Sequence, residues 1–144
     1  MKGGLKVACS WSGGKDSCYA MIQSERHGAA TKIIATMMNE NGRISRSHGL
    51  PLSILRQQAT AMQLPIIATP TTWIDYERNF LSTLKTIRSR YSVEGMVFGD
   101  IDVQRNRDWE EMICTKAAIR AIMPIWKQSR KELLLKMLYT YPSG

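Results

Sequence analysis

"CSWSGGKDSC", residues 9–18, follows the apolar run "LKVA" (5–8) and leads into "YAMIQSERHG" (19–28). An apolar, partly β-branched run that gives way to a polar turn and then a helix-like pattern reads as a strand-to-helix junction. A turn needs one glycine, so the other small polar groups call for a second purpose. Gly13 and Gly14 let the backbone take up positive φ and come close to a ligand. The free N–H groups that open the helix point at the same spot, and the helix dipole favours an anion there. Ser12 and Ser17 add hydroxyls, and Lys15 adds a positive charge. Together these groups describe a phosphate cradle.

The plain alternative is a polar strand–helix turn with Asp16 or Ser12 as the helix cap. Two familiar phosphate loops are excluded. The Walker pattern GxxxxGK[ST] would need glycine in place of Cys9 and a hydroxyl in place of Asp16, and GxGxxG is absent. Asp16 would repel phosphates unless it holds Mg2+, caps the helix or orients the loop.

Outward from this junction the chain keeps alternating. "LKVACSW" (5–11) reads as a strand and 18–28 as a helix stopped by Gly28; "TKIIATMM" (31–38) is a second strand. "NENGRISRSHG" (39–49) carries turn punctuation and reads as a loop. Pro51 starts a helix at its favoured first-turn position, running to about residue 63. "LPIIATP" (64–70) is a third strand. A helix over roughly 74–90 places Ile74, Phe80, Leu81, Leu84 and Ile87 on one face. "VEGMVFGDI" (93–101) is the fourth strand, with a helix through "WEEMICTKAAI" (109–119). "AIMPIW" (121–126) is the fifth, and "SRKELLLKMLY" (129–139) a last helix. Such alternation predicts an α/β fold: an open, mostly parallel five-stranded sheet with helices on both faces, Rossmann-like, with ligands beyond the carboxyl ends of the strands. With no repeat, low-complexity tract or linker, residues 1–144 are expected to form a single domain.

Composition agrees. Hydrophobic residues at 44% and charged residues at 22% of 144 suit a globular domain. The three cysteines form no CxxC pair, which argues against a disulfide framework or a cysteine-built zinc site. No apolar run reaches membrane-spanning length and no secretory signal opens the chain, so no membrane role is expected and the cytoplasm is the expected location. The net charge of +8 is spread along the chain with no interleaved aromatics, leaving nucleic acid a weak expectation.

Beyond the loop, Gly99 and Asp100 fall just past the fourth strand, on the same edge. Asp100 could hold Mg2+ or orient an acceptor; a turn or cap acid is the plainer role, and Asp102 is a rival. Glu110 and Cys114 stand i, i+4 on one helix face. His48 ends the loop after the second strand, while His27 is expected to meet its own helix terminus. Trp11 and Trp73 follow strand ends, where they could pack on adenine or join the core. Trp109 and Trp126 are expected to pack the last two units. No Ser–His–Asp order is defensible with two histidines.

The segment SGGKDS resembles the PP-loop of the N-type ATP pyrophosphatases, which carry an adenine nucleotide alpha-hydrolase-like fold. With "SRSHGLP" (45–51), "QATAMQLPI" (58–66), "VEGMVFGDI", "RDWEEMIC" (107–114) and "PIWKQSRKELL" (124–134), in that order, the chain resembles the diphthine–ammonia ligase family over nearly its whole length. The resemblance implies ATP and Mg2+, cleavage between the α and β phosphates, and adenylation of an acceptor carboxylate. That acceptor can be protein-borne, as with diphthine on elongation factor, and is then amidated by ammonia or another amine.

On this resemblance Ser12, Gly13, Gly14, Lys15, Asp16, Ser17 and His48 would bind the nucleotide. Lys15, Asp16 and Asp100 would serve catalysis, with Asp16 and Asp100 also holding the metal. Gly99, Asp100, Glu110 and Cys114 would border the acceptor. Two other readings stand beside it: a PP-loop enzyme that modifies tRNA, and a nucleotide-binding module without turnover. Family members usually continue into a C-terminal segment with a Gly-Glu-aromatic-His-Thr motif that this sequence does not carry. The apolar residues of the last predicted helix are open to truncation, a naturally short form or homo-oligomerisation.

Overall fold

A computed structural model describes residues 4–129, together with Lys131, Glu132 and Leu135. Nine elements alternate: β1 (Lys6–Ser10), α1 (Lys15–Arg26), β2 (Ala30–Met38), α2 (Leu52–Ala61), β3 (Ile66–Pro70), α3 (Tyr76–Tyr91), β4 (Gly95–Val97), α4 (Gln104–Lys116) and β5 (Arg120–Ile122). The strands form one sheet in the order β3-β2-β1-β4-β5. Every pairing is parallel, from Lys6 opposite Ala30 to Val97 opposite Ile122. The α/β expectation holds, with the sheet fully parallel among the described residues.

β1 shows why both faces must be covered. Val7, Ala8 and Cys9 alternate across the pleat and are each at most 1% exposed. Val7 and Cys9 join Tyr19, Met21, Ile34, Met38 and Leu55 beneath α1 and α2. Ala8 joins Ile33, Phe80, Leu84, Ile87, Met96 and Ile113 beneath α3 and α4. Fully burying a side chain such as Leu84 or Ile87 is worth about 1.5–3 kcal/mol, so a charge on either stripe would undo a layer.

Several boundaries differ from those read in the sequence, each for a local reason. α1 starts at Lys15, directly on the glycine loop. Pro51, extended at φ −62°, ψ 148°, occupies the cap position of α2 rather than its first turn. Ile74 is not on the buried face of a helix: α3 begins at Tyr76, and Ile74 is 96% exposed in the preceding turn. β4 is three residues long, because the chain departs through Gly99 and Asp100. β5 ends at Ile122, ahead of Pro124. The helix expected over 129–139 lies largely outside the described residues. No helix among the described residues is long and apolar enough to cross a membrane.

The strand order fixes where a ligand can sit. β1 and β4 are neighbours, yet α1 and α4 leave them toward opposite faces. Their following loops diverge and open a crevice at the carboxyl edge, the topological switch point of a doubly wound sheet.

Candidate functional site

The turn after β1 is folded by its own hydroxyls. Ser12 Oγ accepts the Gly14 N–H at 3.1 Å, Ser17 Oγ donates to the Gly14 carbonyl at 3.1 Å, and the two hydroxyl oxygens are 3.1 Å apart. Ser17 therefore serves the loop's interior rather than standing open as a donor, and it is buried. Gly14, extended at φ −94°, ψ 177°, is the N-cap of α1 and no side chain caps the helix, so neither Asp16 nor Ser12 takes that role. The first-turn N–H groups of α1 remain directed out of its N-terminus, the arrangement that attracts an anion.

Gly13 sits at φ +85°, where a side chain is strained, and a Cβ there would come within 2.3 Å of Leu50 Cδ1 and 3.2 Å of Gln58 Oε1. A Cβ on Gly14 would lie 3.1 Å from His48 Nε2, so the loop after β2 does bring His48 to the glycine turn. Lys15 Nζ is 3.2 Å from Asp16 Oδ1, and both side chains remain accessible at 63% and 36%. At that exposure the pair contributes little to stability and both groups stay available to a ligand.

The loop after β4 meets this turn directly. A Cβ on Gly99 would stand 2.9 Å from the Asp16 carbonyl carbon and 3.0 Å from the Ser17 nitrogen. Only a glycine lets the two loops lie flush. Asp100 follows, with Asn106 Nδ2 3.4 Å from its Oδ1, so the switch point brings Asp100 to the same corner as Asp16.

Glu110, from α4, faces Asp100. Burial, then the hydrogen bond and charge of Asp100, push its carboxyl up to about 10, so it is protonated near neutrality. Its Oε1 is buried with no protein partner. Tyr76 forms the neighbouring wall, its phenol raised by burial and Glu110 against the opposing effect of Arg46. Rings continue outward and inward from Tyr76: Trp73 stacks on it at 5.4 Å, Phe80 at 5.9 Å, and Trp109 is tilted at 5.8 Å.

Cys114 departs from the expected site. It is fully buried behind Glu110, its thiol pushed up to about 12 by desolvation and then by Glu110, so it belongs to the core. Cys9 is equally buried and raised to about 12, as a core thiol should be. Trp11 is a core residue at 5% exposure, but Trp73 is 68% exposed with the Arg46 guanidinium 4.6 Å over its ring. Trp109 packs edge-on to Phe80, and Trp126 lies between Arg107 and Lys127. His27 Nδ1 bonds the Gln23 carbonyl at its helix end, as expected.

Sequence reasoning passed over Tyr76, Arg46 and Gln58. Arg46 binds the Thr71 carbonyl through Nε at 2.9 Å and through Nη2, tying two loops together. Nothing in the spacing of Arg46 or Tyr76 marks them; Gln58 stood inside the quoted "QATAMQLPI" without a role.

For a divalent ion the residues offer hard carboxylate oxygens only. Among the described residues no three His, Cys, Asp or Glu converge on one point. Asp16 and Asp100 are the carboxylates that the two loops bring to this corner.

The family model described as the diphthamide synthase N-terminal domain matches residues 5–121. The chain is similar to diphthine–ammonia ligases: 24% identical to that of Mus musculus and 25% to that of Homo sapiens, over 93% of this chain and 58% of each relative. That of Danio rerio is 25% identical over 93% of this chain and 60% of its own. The chain thus spans a little under two thirds of the length of these relatives. Among solved structures, a predicted subunit of tRNA methyltransferase from Methanocaldococcus jannaschii superposes with a TM-score of 0.59 at 14% identity, covering 93% of this chain and 76% of that one. At that identity the likeness speaks for the fold.

Proposed function

The chain belongs to the diphthamide synthase N-terminal domain family, and from that premise we propose that it is an ATP-dependent, AMP-forming ligase that adenylates an acceptor carboxylate. The observation that carries this reading is the contact of Gly99 with the Asp16–Ser17 peptide, which joins an anion-directed helix start to a carboxylate-bearing loop at one corner.

The β and γ phosphates lie on the Gly13–Gly14 turn and the N–H groups of α1, with Lys15 balancing their charge. Asp16 and Asp100 would hold Mg2+, which would supply charge neutralisation. The acceptor carboxylate oxygen attacks the α-phosphorus; the bond to the β-phosphate oxygen breaks and pyrophosphate leaves. Ammonia or another amine then attacks the acyl carbon of the mixed anhydride, an amide forms and AMP departs with the bonding pair. His48 borders the nucleotide at Gly14. Glu110, protonated, presents Asp100 with a neutral neighbour and adds no charge of its own to that corner. The chain itself contributes positioning and charge stabilisation.

A tRNA substrate is less well supported. The loops on this edge carry Arg43, Arg46 and Lys127 interspersed with Glu40, Asp75, Asp100 and Asp102, which gives no continuous positive track for a phosphate backbone.

The test is to incubate the protein with Mg-ATP, with and without candidate carboxylates and ammonium, and identify the nucleotide product. AMP with pyrophosphate supports the proposal, whereas ADP or no cleavage refutes it. Ser12→Ala and Asp16→Ala are expected to abolish AMP formation with an unchanged circular dichroism spectrum. Full activity in both variants overturns the assignment of the loop.

A further inference from the structure

We infer that Gln58, on the second turn of α2, is a positioning residue that holds the phosphate-binding turn through Trp11. The inference rests on the proposed nucleotide role of that turn, although the geometry stands without it.

Trp11 is the hinge between β1 and the glycines, and it is tied in three directions. Its backbone N–H donates to the Ala35 carbonyl at 2.8 Å, and its carbonyl accepts the Thr36 hydroxyl at 2.7 Å. Those bonds fix it to β2. Its indole Nε1–H donates to Gln58 Oε1 at 2.8 Å, which ties its side chain to α2. An indole nitrogen can only donate, so the oxygen of Gln58 must face it. Trp11 is 5% exposed, so losing its partner leaves a largely buried donor, which is costly.

The same oxygen also meets the glycines. It would be 3.2 Å from a Cβ on Gly13, with Leu50 and Leu55 beside it. Beside the turn lies a solvent-open groove of about 390 Å3 lined by Trp11, Gly13, Gly14, Lys15, Gln58 and Met62 among others. That volume is why Gln58 matters. A well-packed interior would hold the turn by steric contact from every side, but here one flank of Gly13–Lys15 borders open space. The amide of Gln58 is the polar strut across it. His48, which meets Gly14 on another side, comes from the connection that leads into α2, so one segment grips both glycines.

The decisive measurement is hydrogen–deuterium exchange of the hydrogen-bonded Trp11, Ser12 and Gly14 amides, made without nucleotide on the full chain and on Gln58→Leu, Gln58→Glu, Trp11→Phe and the Trp11→Phe/Gln58→Leu double variant. Leucine keeps the bulk and removes the acceptor; glutamate keeps the acceptor. Exchange in Gln58→Leu should rise about fivefold or more at this turn while α3 and α4 keep wild-type protection, and Gln58→Glu should restore it to within about twofold. Since the strut acts through the indole, the double variant should exchange no faster than Trp11→Phe alone.

In parallel, affinity for α,β-methylene-ATP should fall about fivefold or more in Gln58→Leu. Unchanged exchange in Gln58→Leu overturns the inference, as do strictly additive effects in the double variant. Uniformly faster exchange across α3 and α4 also overturns it, because the residue would then serve the fold at large. Failure of the wild-type chain to bind the analogue, with the exchange pattern intact, strikes the ATP reading alone.

Discussion

Gly99→Ala is the sharpest perturbation the site allows. The added Cβ would lie 2.9 Å from the Asp16 carbonyl carbon and 3.0 Å from both the Asp16 oxygen and the Ser17 nitrogen. All three are backbone atoms in the first turn of α1, so no side chain can swing aside. Restoring ordinary contact near 3.4 Å or beyond requires the two loops to part by about half an ångström. Overpacking of this kind costs about 1–3 kcal/mol, which for a domain of this size lowers Tm by about 3–10 °C. The displacement falls on the helix start that aims at the phosphates, so AMP formation should drop on the order of 10–100-fold. Calorimetry and a pyrophosphate-release assay read the two effects. Gly28→Ala is the control: at φ +97° with nothing within 4 Å, it costs backbone strain of about 1–2 kcal/mol far from the site. It should lose stability and keep its rate per folded molecule. Wild-type melting and turnover in Gly99→Ala would refute the reasoning, and so would equal loss of rate in both variants.

Glu110 predicts a pH dependence whose sign follows from its burial. With an ordinary value of 4.5 and a folded value of about 10, the native state keeps a proton that the unfolded chain releases above about 4.5. Stability contributed there is present at low pH and declines as pH rises toward about 10. Glu110→Gln should therefore melt higher than wild type at alkaline pH, on the order of 1–3 kcal/mol, and show a flatter Tm profile between about pH 5 and about pH 9; parallel profiles would contradict the buried, protonated carboxyl. Thiol titration of the native protein should find Cys18 alone, with Cys9 and Cys114 reacting only after denaturation. Rapid native labelling of Cys114 would reopen it as a site residue.

Much of this architecture can be read from local pattern. The strand, glycine turn and helix around residues 9–18, and their repetition along the chain, are enough to predict the parallel sheet and to place the glycine turn at its carboxyl edge. The same reading erred where a boundary depended on neighbours. Ile74 has the spacing of a buried helix face, but α3 starts two residues later and leaves it in solvent. Cys114 stands i, i+4 from Glu110, but that spacing says only that the two share a face. Which of the pair borders the opening depends on Phe80, Phe98 and Trp109 packing across from it.

What the amino-acid order settled by itself is the glycine turn and the helix start that follows it, because their causes are short-range: two glycines, a hydroxyl that accepts the Gly14 N–H two residues on, and a helix that starts there. What only the tertiary structure decided is the company that turn keeps. Gly99 and Asp100 are more than eighty residues from Asp16 along the chain, and Gln58 is 47 from Trp11. Their contacts exist because β4 inserts beside β1 and α2 folds across the sheet. Such pairings depend on the packing of whole layers, to which no local spacing gives access.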